Sequence, residues 1–108
     1  MKITLLLLFT AALLEAGGDA LVRAGLHTSG TIPRILLFLA GGLALFTYGY
    51  TVNIQPWNFG RLLGVYVVFF FLVAQLISWI MFHERPSTAL AIGGAFIVAG
   101  GIIISYNR

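Results

Sequence analysis

Four apolar runs, separated by short stretches rich in Pro, Gly, Asn and Ser, constrain this chain more than any other feature. A hydrocarbon core roughly 30 Å thick is crossed by about 20 apolar residues in helical form. Backbone groups in lipid must be satisfied within their own segment, so each run is expected to be an α-helix, and strand readings fail on length. The spans read as about 3–22, 34–52, 60–82 and 88–105, in a single transmembrane domain over residues 1–108. Arg23, Gly25, His27 and Ser29 to Pro33 mark the first loop. Asn53, Gln55, Pro56, Trp57 and Asn58 mark the second, and His83-Glu84-Arg85-Pro86-Ser87 closes the third span. The expected fold class is all-α, an integral membrane bundle of four transmembrane helices.

Composition narrows the function. Only 8% of residues are charged and 60% are hydrophobic, against a charged share of about 25% in soluble domains. Four spans use most of the chain, so a soluble domain has no room, and four helices are too few to enclose a large transport chamber. Any pathway is expected to need an oligomer. Cysteine is absent, which removes disulfides and thiolate metal sites. No nucleophile and base, metal cluster or phosphate loop is recognisable, so neither an enzyme nor a cofactor nor a metal is expected. His83-Glu84-Arg85 lacks the second histidine of a zinc-protease motif and reads as loop charge. The net charge of +3 lies mostly near loops and ends, which reads as anchoring in membrane lipids and not as nucleic-acid binding. Lys2 followed by Leu5 to Leu8 has the look of a signal peptide, but the apolar run continues to Val22 and three more spans follow, so it is expected to be retained.

With the N-terminus taken as one side and the sides alternating at each span, Lys2, Arg61 and Arg108 fall opposite Arg23, Arg34 and Arg85. Lysine and arginine bias is what orients a chain in the bilayer. A balanced chain carries no strong instruction, and insertion both ways round is one reading. Two copies paired in opposite orientation would form an inverted repeat, the symmetry by which many transporters alternate access. The other reading is a chance balance in which Arg61 is not a loop charge.

Glu15 is the most informative position. It lies about twelve residues into the first span, hence roughly 18 Å deep at 1.5 Å per residue. An acid at a helix centre costs about 2.5–3.5 kcal/mol on insertion scales. Burial disfavours its charged form and a nearby cation favours it, so the group can hold a proton or a cation, one excluding the other. A permanently protonated acid bonded to a neighbouring helix is the plainer alternative. Asp19 and Arg23 follow at intervals of four and share its face. Either Arg23 neutralises Asp19, or Asp19 couples to Glu15 and the two titrate as a pair. Leu8, Ala11, Ala12 and Gly18 complete the face, leaving space for a pathway beside the acid or allowing close helix packing.

On the third span Arg61, Tyr66 and Gln75 are polar positions among Phe69, Phe70 and Phe71, and aromatic faces attract cations. A buried Tyr66 hydroxyl needs a partner, which a carboxylate on a neighbouring helix would supply. Arg61 is expected to snorkel or to stabilise an anion. Gln75 joins the possible pathway. The fourth span has no ionisable group, and Gly93, Gly94, Gly100 and Gly101 form flat strips at a spacing of seven, which reads as a dimerisation surface.

Three elements resemble the small multidrug resistance family of the drug/metabolite transporter superfamily. They are Glu15-Ala16-Gly17-Gly18 with Arg23 closing the helix, Ser78-Trp79 followed by a short polar loop ending at Arg85, and the Gly93 to Gly100 spacing. Leu43-Ala44-Leu45-Phe46 and Gly60-Arg61, with Tyr66 five residues on, further resemble the YnfA-like branch. Tyr66 stands where typical multidrug members have tryptophan, Leu63 where they have tyrosine, and Asp19 is an unusual second acid. The resemblance implies proton-coupled antiport of small or hydrophobic organic cations by an antiparallel homodimer in a prokaryotic inner membrane. Glu15 would be shared by proton and substrate, with Tyr66, Gly18 and Asp19 beside it. A lipid or polyamine translocator paired with an unlike chain, or a non-transporting membrane scaffold, are the alternatives.

Overall fold

The computed structural model describes residues 2–106, which fold into four α-helices: α1 (Lys2–Leu26), α2 (Thr31–Asn53), α3 (Phe59–Phe82) and α4 (Thr88–Tyr106). Asn107, Arg108 and the Lys2 side chain, which enter the charge tally, lie outside the description. All four helices are long and apolar enough to cross a membrane.

The first helix runs beyond its expected end at Val22 to Leu26: Arg23, Ala24 and Leu26 are good helix formers, and Gly25 is kept helical by close packing on α2, where a Cβ would come within 2.7 Å of Phe38. Its last carbonyls are then satisfied from nearby. Thr28 Oγ1 donates to the Ala24 carbonyl at 2.6 Å, and His27 Nδ1 lies 2.8 Å from that of Arg23. From α2, Arg34 donates through Nε to Gly25 at 3.1 Å and through Nη2 to Thr28 at 2.8 Å. A cation over carbonyls at a helix C-terminus also complements the helix dipole.

The second helix starts at Thr31, three residues before the expected Arg34. Pro33 is therefore helical, and it stands in the first turn, where the N–H it lacks would have no helical partner. The third helix ends as His83 takes a left-handed conformation (φ 56°, ψ 33°), which turns the chain so that the Glu84 N–H donates to the Ser78 carbonyl at 3.1 Å. Ser87 then caps α4, its hydroxyl accepting from the Leu90 N–H at 3.1 Å.

The helices pack as a row, α2–α1–α3–α4, with α1 on α2 and α3, and α4 on α3. The molecule measures 49 × 35 × 19 Å. Glycines set the close approaches. A Cβ on Gly18 would come within 3.1 Å of the Gly41 carbonyl oxygen, and one on Gly41 within 3.0 Å of that of Gly18, so α1 and α2 meet backbone to backbone. Leu8, Ala11, Ala12, Ala16, Val52, Leu62, Val65, Tyr66 and Val73 form the core. Large apolar side chains such as Leu43, Phe46, Phe96 and Ile103 point outward, as suits a bundle whose solvent is lipid and whose association relies on close packing.

Candidate functional site

Glu15 occupies the middle of α1 and is half-buried, while Tyr66 of α3 is 3% exposed. The Tyr66 hydroxyl donates to Glu15 Oε1 at 2.8 Å. A phenol can stay bonded to an acid in either protonation state, donating to the carboxylate or accepting from the protonated form. Tyr48 of α2 stacks on Tyr66 with ring centroids 5.5 Å apart at 27°, and Phe70 packs beside Tyr66 at 6.3 Å. The acid therefore lies where three helices converge, beside aromatic faces that can stabilise a cation.

One turn along α1, Asp19 is exposed and lines a cavity of about 250 Å³ between α1 and α3. Arg23 does not neutralise it. The guanidinium instead pairs with Glu84 at 3.7 Å and lies 5.3 Å from the Phe82 ring centroid. Glu84 reaches Arg23 because the His83 turn folds it back over α3, where it also accepts from Ser78 Oγ at 2.7 Å. Arg23, four residues from Asp19 in sequence, is drawn to an acid on another element.

Other expected site residues are dispersed. Gly18 faces Leu45 and Gly41 of α2 and serves the α1–α2 contact. Ala11 and Ala12 are fully buried in the core. Gln75 stands nine residues from Tyr66, half a turn around the helix, and lines a groove of about 560 Å³ between α3 and α4, away from Glu15. Arg61 neither faces the acid nor reaches outward. It donates through Nη2 to the Ser105 carbonyl at 3.1 Å, lies over Trp57 at 4.3 Å, and has a buried Nε without a partner. It clasps α3 to the last turn of α4.

The glycines of α4 divide. A Cβ on Gly94 would come within 2.6 Å of Phe71, and one on Gly101 would strike Val68, so both belong to the contact with α3 of the same chain. Gly93 and Gly100 have open space beside them. Grouping all four as an intermolecular surface is corrected to that extent, since residues one apart on a helix point about 100° apart.

Sequence reasoning passed over Tyr48 and Glu84. Tyr48 left only a shared signal, since Thr47-Tyr48 and Tyr50-Thr51 stand together in the second span and the sequence does not say which phenol faces the acid. Glu84 left none beyond its charge, because its role depends on the turn at His83.

Comparison with known proteins places the chain. The family described as "Uncharacterised BCR, YnfA/UPF0060 family" matches residues 1–108. The UPF0060 membrane protein YfjF of Bacillus subtilis is 33% identical over 105 residues, covering 96% of this chain and 93% of the relative. UPF0060 membrane proteins of Rhodococcus erythropolis (36% over 107 residues; 97% and 95% covered) and Saccharopolyspora erythraea (34% over 105 residues; 95% and 92% covered) are similar along nearly their whole length. No solved structure matches. With four membrane-length helices and a match that spans every residue, the chain is an integral, multi-pass membrane protein that belongs to the YnfA/UPF0060 family.

Proposed function

We propose that the protein is a proton-coupled antiporter that exports small organic cations, working as an antiparallel homodimer in an inner membrane. The hydrogen bond from Tyr66 to Glu15 at 2.8 Å carries this reading. It holds an intramembrane acid, a group that in membrane proteins usually marks an ion or substrate path, at a junction lined by the rings of Tyr48, Tyr66 and Phe70. Glu15 releases a proton to admit the cation and releases the cation when a proton returns. Tyr66 orients the carboxyl group in both states, and the rings stabilise the cation's charge.

The test is uptake of radiolabelled tetraethylammonium into proteoliposomes driven by an imposed proton gradient. Glu15→Gln is expected to abolish uptake, because the amide can neither exchange a proton nor balance a cation. Glu15→Asp is expected to retain part of it with a displaced pH dependence. Gradient-driven uptake by Glu15→Gln at the wild-type rate would end the proposal.

A further inference from the structure

We infer that the cavity between α1 and α3 is a second cation site, separate from Glu15, which takes a small quaternary ammonium ion against Asp19. The charges lining it are those of Asp19, Glu84 and Arg23. Arg23 is engaged by Glu84 at 3.7 Å, and Asp19 makes no ion pair among the described residues, so the cavity keeps one uncompensated carboxylate. Phe70 and Phe82 contribute rings to its walls, and Ala16, Ala20 and Ala74 leave the space between them open.

The lining of this cavity already displays the recognition chemistry. The chain's own guanidinium lies 5.3 Å from the Phe82 ring centroid while its charge is met by Glu84. An ammonium ion beside Asp19 would meet the same pair of features, a carboxylate and a ring, at Asp19 and Phe70 of the lining. With Glu84 engaged by Arg23 and Ser78, the one free carboxylate of this largely apolar lining offers too few oxygens for a divalent metal such as calcium or magnesium, which takes six or more. It suits instead a monovalent ion whose charge is sheathed in carbon. The volume of about 250 Å³ is below the roughly 300–1,000 Å³ of sites for drug-sized ligands, so the ion must be small.

Asp19 and Glu15 are one turn apart on α1, and Phe70 both borders the cavity and packs on Tyr66 at 6.3 Å. The two sites thus adjoin across one ring. The cavity site does not depend on the exchange reaction proposed for Glu15.

Isothermal titration of the full chain in detergent micelles with tetraethylammonium tests the site. The Glu15→Gln variant is expected to keep one binding event. Adding Asp19→Asn to it is expected to weaken that event at least about tenfold, the scale of one lost charge contact. Adding Ala74→Phe instead, which fills the cavity and leaves the carboxylate in place, is expected to do the same. Asp19→Glu is expected to restore binding to within a few fold. Should Asp19→Asn lose its helical circular dichroism, the Ala74→Phe result decides. The inference is overturned if the wild-type chain does not bind the probe, if Glu15→Gln alone abolishes binding, or if the cavity variants bind within twofold of Glu15→Gln. The last two results leave the Glu15 proposal standing, because proton-driven uptake tests it independently.

Discussion

The two sides of α3 solve the same packing problem in different ways. Toward α1 it presents Tyr66 and Phe70, which meet an acid, a second tyrosine and a cavity. Toward α4 it presents Gly64, Val68 and Phe71, which meet Ile104, Gly101 and Gly94 without an ionisable group on the α4 side. Lipid rewards close contact more than apolar burial, so the second seam is built mainly from small residues and rings, with Arg61 fastening one end to the Ser105 carbonyl. The first departs from that economy, retaining a carboxylic acid and a phenol where glycine and valine would serve packing. A carboxylic acid bonded to a phenol on one side, against glycines packed on rings and valine on the other, is what distinguishes the two seams.

Substitutions in each seam sharpen that contrast. The largest effect is expected from Glu15→Gln, which should lower proton-driven uptake by more than about a hundredfold, as expected when a proton carrier is removed, with the thermal melting profile in micelles little changed. A melt that collapsed along with uptake would make the first seam as structural as the second. Gly101→Leu should show the reverse, destabilising the fold by about 1–3 kcal/mol through overpacking against Val68, as read from unfolding in mixed detergent. If that variant melted like the wild type, the α3–α4 seam would not be glycine-dependent.

Tyr66→Phe removes a donor from the acid without changing the core's shape. A stability loss of about 1 kcal/mol is expected, with a larger proportional loss of tetraethylammonium affinity; equal losses would make the phenol a packing residue. Glu84→Gln breaks an ion pair whose side chains are 56% and 55% exposed, so its cost should fall below about 1 kcal/mol, measured by melting at low and high salt. The smallest effect is expected at Gly93, where a methyl group meets nothing within 4 Å. Gly93→Ala should leave the monomer's melt unchanged or raise it by up to about 1 kcal/mol through helix propensity, and a clear loss would show that this strip is covered in the assembled protein.

Much of this is legible in the sequence. The four helices follow from run length, because lipid permits little else, and the union of Tyr66 with an acid follows from the need of a buried hydroxyl for a partner. Boundaries were less legible: Pro33 looked like a loop residue because proline interrupts helix interiors, but a first turn tolerates it. The partner of Arg23 was not legible either. Spacing along one helix brings Asp19 forward, whereas Glu84 approaches only after His83 has reversed the chain. The placement of Gly18 against α2 and of Gln75 between α3 and α4 was not legible for a related reason, since a helical wheel tells which residues share a side but not which neighbour that side meets.

The clasp of Arg61 on Ser105 has a mechanical consequence. At its other end α4 is tethered by the short connection after His83, and between these points it rests on α3 through Gly94 and Gly101. A beam held at both tips and seated at two points between them has little freedom to swing, so α4 is expected to move with α3 as one body.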